Sequence, residues 1–168
     1  MGLLDSAIGL LNDIKMKTSD DPFISGLRFE EYVDELFSEK YYTLVEKTHS
    51  PDTNKEKYVE SSMNPDFVYR HKPSKDLFAV ECKYRSNINN GVLEWSYPKQ
   101  LQRYQDFSYN RNMPVFIVIG VGGEDCEPEE MYCIPLEKAK YPALYRKVYE
   151  KYERDPEKMF FYKNGMLL

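Results

Sequence analysis

The sequence predicts an α/β domain: a mixed β-sheet flanked by helices. Three observations carry this. A helical pattern over residues 23–40 precedes three strand-like runs at 41–48, 66–70 and 77–85. A second helical stretch, from Pro98 to Tyr109, has the placement of a crossover. It leads into PVFIVIGVGG (114–123), a continuous apolar run of the kind found in strands covered on both faces.

The elements follow in chain order. Residues 3–17 place Leu4, Ala7, Ile8, Leu11 and Ile14 on one face, so residues 1–20 are expected to hold an amphipathic helix. SDDP then stops and restarts the chain, with Asp21 before Pro22 as N-cap. In the helix that follows, Phe29, Val33, Leu36 and Phe37 make a core stripe, with Glu30 and Asp34 beside it. Residues 49–64 are polar and read as a loop, with room for a short strand at KYVE. DFVYR (66–70) and LFAVECKYR (77–85) pair across HKPSKD. Residues 131–136 form another strand, and 137–154 read as a Pro-interrupted closing helix. The chain is thus expected to be a single domain, 1–168, with its core at 24–121 and a strand and closing helix at 131–154.

Composition excludes several classes. With 42% hydrophobic and 30% charged residues the profile is that of a globular protein rather than a disordered one. No apolar run is long enough to span a bilayer, so no membrane partner is expected, and no signal peptide is evident. Cys82, Cys126 and Cys133 contain no CxxC pair, which argues against a disulfide framework or a cysteine metal site and for a reducing, cytoplasmic setting. The net charge of −5 disfavours a nucleic-acid partner at first sight. Yet Arg70 to Arg111 holds eight Lys/Arg against four Asp/Glu, leaving the rest of the chain at −9. A local basic patch is compatible with the total. The glycines of IGVGGE (119–124) fit no nucleotide-binding pattern, so no nucleotide cofactor is implied.

Side chains alternate across a strand. In 77–85, Phe78, Val80, Cys82 and Tyr84 point one way, while Leu77, Ala79, Glu81, Lys83 and Arg85 point the other. Pairing across the hairpin brings Asp66 beside Glu81 and Lys83. Two carboxylates can hold Mg²⁺ or Mn²⁺, hard cations that prefer oxygen and keep several waters. Such an ion polarises a phosphoryl oxygen and acidifies bound water. The lysine can orient or deprotonate that water, or stabilise charge developing at phosphorus. Burial lowers a lysine pKa and a neighbouring carboxylate raises it, so sequence leaves its protonation open.

Read together, NPD (64–66) and ECK (81–83) resemble the PD-(D/E)xK motif of restriction-endonuclease-like nucleases. GLRFEEYV (26–33) resembles the first core helix of the Mrr-type and archaeal Holliday-junction-resolvase-like branch, and QLQRY (100–104) the QxxxY motif of the RecB-like branch. The order helix, three strands, helix, strand over 24–121 agrees. The resemblance implies divalent-metal-dependent hydrolysis of DNA phosphodiesters, as in restriction, repair or recombination. It makes Asp66 and Glu81 the principal metal ligands, with the Cys82 main-chain carbonyl a third and Glu30 auxiliary. Lys83 would act on the water, and Gln100 and Tyr104 would brace the site or touch the nucleic-acid backbone. The Glu30 type and the QxxxY type usually mark different branches, so endonuclease and exonuclease action both stay open.

The remaining candidates read more plainly. Trp95 and Tyr97 could stack on bases, though a lone Trp is more often core. His49 and His71 read as surface or loop residues, and EDCEPEE (124–130) as a solvated loop. Fifteen tyrosines and the amphipathic N-terminal helix leave apolar surface enough for a homodimer. The alternative to a nuclease is a catalytically inactive module of the same fold, serving DNA binding or protein interaction.

Overall fold

The computed structural model describes residues 21–48 and 64–168. The N-terminal helix, the KYVE strand and His49 therefore lie outside the described residues. Helix α1, Pro22–Glu35, begins as its caps dictate. The Asp21 carboxylate accepts from the Phe23 N–H at 2.9 Å, and Pro22 sits where its missing N–H is not needed. The helix buries Ser25, Phe29, Glu30 and Val33 and ends short of the expected residue 40.

Strands β1 (Tyr42–Lys47), β2 (Phe67–His71) and β3 (Leu77–Arg85) form an antiparallel meander. A short β4 (Val92–Glu94) and helix α2 (Pro98–Arg111) follow. Helix α2 is the crossover that lays β5 (Val115–Val121) parallel to β3, and it stops at Asn112 in the left-handed conformation. β6 (Glu130–Pro135) then returns antiparallel to β5. After β7 (Ala143–Tyr145), one helical turn α3 (Arg146–Tyr149) and a 3₁₀ turn (Glu150–Tyr152), the strand β8 (Glu153–Arg154) adds the last edge. The six-stranded order is β1-β2-β3-β5-β6-β8, and β4 pairs separately with β7. β9 (Tyr162–Lys163) and β10 (Met166–Leu167) form a terminal hairpin. Among the described residues no helix is long and apolar enough to cross a membrane.

Two apolar clusters hold the layers. One packs α1 on the sheet through Phe29, Val33, Phe37, Tyr69, Phe78 and Phe116. Phe37 stacks on Tyr69 at 4.0 Å and on Phe160 at 4.4 Å between centroids. The other packs α2 on the opposite face through Trp95, Leu101, Tyr104, Phe107, Ile117 and Ile119. Gly120 in β5 lets α1 come close, because a Cβ there would stand 2.4 Å from the Phe29 ring.

The element order expected at 24–121 is observed, with β4 as an addition. The closing helix at 137–154 is not. Ala143–Tyr145 instead pairs with β4, leaving only Arg146–Tyr149 helical, and Glu153–Arg154 joins the sheet. Tertiary pairing has overridden a local helical pattern. Trp95 is wholly buried, with its indole N–H donating to the Tyr141 carbonyl at 2.9 Å, so it is a core residue. His71 is no free surface residue: it ends β2, half-buried against Tyr42 and Tyr162.

Candidate active site

The alternation along β3 is realised. Phe78, Val80 and Cys82 enter the α1-side cluster, while Ala79 enters the other and Glu81 meets Tyr104 of α2. Phe67 pairs with Val80, so continuing the antiparallel register sets Asp66 opposite Glu81. Beyond the end of β2 the Cys82 N–H lacks a ladder partner, and the Asp66 carboxylate takes its place at 2.8 Å. The N–H and C=O of one strand residue point to the same edge. The Cys82 carbonyl is thereby directed to the side where Asp66 lies, while its thiol is buried among apolar groups.

Asp66, Glu81 and Glu30 are all buried, and they are the only carboxylates so classed among the described residues. All three line one cleft of about 300 Å³. Lys83, Cys82, Gln100 and Tyr104 line the same cleft, so all the residues of the expected metal and catalytic set lie along it. A larger hollow, about 630 Å³, lies by the end of α1 between Asp34, Phe37, Tyr42 and Lys72, and holds no buried acid.

Glu81 is the hub. Its Oε1 accepts from Tyr104 Oη at 2.5 Å and lies 2.6 Å from Lys83 Nζ. Its Oε2 is buried without a hydrogen-bond partner. Burial, and then the charge of Asp66, push the Glu81 acid up to about 7, although Lys83 and Tyr104 pull the other way. For Lys83 burial is the largest single influence and acts downward. The Glu81 contact and the Asp66 charge together outweigh it, holding the ammonium above the usual lysine range. Burial and the Glu81 carboxylate drive the Tyr104 phenol far upward, so it remains a donor.

The acidic pair fits a divalent cation. An unpartnered buried oxygen and two mutually repelling carboxylates are what such an ion would relieve, with the Cys82 carbonyl as a neutral third donor. The wider set does not assemble: among the described residues no three His, Cys, Asp or Glu side chains are grouped closely enough to hold a metal. Glu30 lines the cleft without completing a three-carboxylate site, because α1 carries it on a separate layer above the sheet.

Among the lining residues that the sequence did not mark as functional are Asn64 and Arg85. Asn64 directly precedes the Pro-Asp pair, and Arg85 follows Lys83 at the strand period. The Arg85 guanidinium donates to the carbonyls of Tyr84, Glu94 and Trp95 at 2.8, 2.7 and 2.9 Å. This ties the end of β3 to the segment leading into α2. Trp95 stacks on Tyr104 at 6.1 Å, so the brace returns to Glu81. Period-two spacing pointed to Arg85; nothing local pointed to its carbonyl partners.

A mixed sheet with α1 on one face and α2 on the other, and with its acidic strand ends opening on one cleft, is the restriction-endonuclease-like fold. The chain is similar to the solved structure of Hjc from Archaeoglobus fulgidus, a Holliday junction resolvase from an archaeal hyperthermophile. The TM-score is 0.52 at 14% sequence identity, covering 75% of this chain and 93% of that one. No family model and no curated protein matches the sequence.

Proposed function

We propose that this protein is a divalent-metal-dependent nuclease that hydrolyses DNA phosphodiester bonds at the Asp66–Glu81–Lys83 cleft. One observation carries the reading: three buried carboxylates and a lysine converge on a single cleft while Glu81 keeps an unpartnered oxygen. The shared fold with a Holliday junction resolvase supports DNA as the substrate. Asp66, Glu81 and the Cys82 carbonyl would hold Mg²⁺ or Mn²⁺. Bound there, the ion would supply Lewis-acid charge and a water of lowered pKa. The Glu81 contact and the Asp66 charge hold the Lys83 ammonium above its usual range, which suits it as a cation toward charge developing at phosphorus. Tyr104 fixes the Glu81 carboxylate by holding Oε1, and Gln100 lies one helical turn away on the same cleft wall. Three buried, unpaired cysteines suit a reducing, cytoplasmic compartment. A homodimer would suit cutting of both strands.

An inactive module of the same fold is favoured by one observation, the lack of a three-side-chain metal group among the described residues. Cleavage decides between them. Plasmid, single-stranded and branched DNA are incubated with Mg²⁺, with Mn²⁺ and with EDTA. Lys83→Ala and Asp66→Asn are each expected to lower the metal-dependent rate by at least about 100-fold. Equal cleavage by wild type and both variants, or none by wild type, rejects the nuclease.

A further inference from the structure

Two exposed aromatic side chains, one lining this cleft and one at the N-cap of the helix that walls it, are not used by the hydrolytic chemistry. Phe23 lines the cleft yet is 56% exposed. It sits in the first turn of α1 after Pro22, with its N–H donating to the Asp21 carboxylate. Phe23 is absent from both core clusters. Tyr97 caps α2 and is 53% exposed, with no side-chain capping bond. It immediately precedes α2, three and seven residues before the cleft-lining Gln100 and Tyr104.

A phosphodiester must enter the cleft to reach these buried carboxylates. Unpaired nucleotides can turn their bases toward the cleft walls without the cost of unstacking a pair. Unpaired bases also present π-faces that aromatic side chains can cover. Resting on the nuclease reading above, we propose that Phe23 and Tyr97 stack on unpaired nucleobases beside the scissile phosphate. The preferred substrate is then DNA with unpaired nucleotides at the cut, rather than a fully paired duplex.

The test measures binding separately from cleavage. A single-stranded oligonucleotide carrying 2-aminopurine is titrated with the full chain in Ca²⁺, beside a fully paired duplex of the same sequence. Wild type should bind the single strand more tightly and quench the 2-aminopurine. Phe23→Ala and Tyr97→Ala should each weaken single-strand binding on the order of tenfold and relieve the quench, while Phe23→Trp retains both. Duplex affinity should be unchanged. Parallel losses on duplex and single strand, or a wild-type preference for the duplex, would overturn this inference and leave the nuclease standing if cleavage is metal-dependent. No binding and no cleavage of any DNA by wild type would remove both.

Discussion

β3 and β5 lie side by side in the middle of the sheet, paired in register from Ala79–Val115 to Arg85–Val121. β5 is buried from end to end and consists of apolar residues and one glycine. β3 begins with apolar residues and then turns to the buried Glu81 and to Lys83 and Arg85, which are half-buried. Glu81 and Ile117 are direct neighbours across this ladder, both essentially inaccessible to water. One strand secures the fold. The far half of the other places an acid where burial opposes its ionisation.

Substitutions at this pair sharpen the contrast. Ile117→Ala should destabilise the protein by about 2–5 kcal/mol, the range for emptying a tightly packed aliphatic site, as read by urea denaturation. Retention of wild-type stability would show β5 to be less essential than its burial implies.

Glu81→Gln should have a smaller effect whose size depends on pH. The Glu81 acid titrates near 7 when folded and near the ordinary 4.5 when unfolded. The folded state therefore favours the protonated acid. That advantage is complete below pH 4.5 and is lost as pH rises through 7. In EDTA, moving from pH 4.5 to 7.5 should shift the melting difference toward the Gln variant by a few degrees. A pH-independent difference would mean that burial does not govern this carboxylate.

The smallest effect is expected far from this pair. Arg111 clasps Glu46 at 2.5 and 2.9 Å on the surface, and its hydrogen bonds and charge lower the Glu46 acid against a small opposing effect of burial. Glu46→Gln should still change stability by less than about 1 kcal/mol, because exposed pairs are screened. A larger loss would place part of the fold's stability at the sheet edge rather than in β5.

What could be read in advance divides along the same line. The Asp66–Glu81–Lys83 convergence was legible because strand alternation and one hairpin register determine it, both local properties. The parallel placement of β5 was prefigured by an apolar run behind a crossover helix. The protonation of Lys83 was not legible, since it balances burial against two acids from different strands. Nor was the β4–β7 pairing, in which Val92–Glu94 meets a segment some fifty residues later and turns a helical pattern into strand. The β9–β10 hairpin is legible in Asn164–Gly165, both at positive φ, the residues of a two-residue hairpin turn. Trp95 joined the core as a lone tryptophan usually does, leaving Tyr97 exposed at the N-cap of α2.

The central claim is that the acidic end of β3 is a cation site, and thermal melting in Mn²⁺ tests it most directly. Wild type should gain several degrees at millimolar Mn²⁺ over EDTA, since a ligand that binds only the folded state stabilises it, and Asp66→Ala should abolish the gain. A wild-type melting temperature indifferent to Mn²⁺, or an equal gain in the variant, would contradict the account.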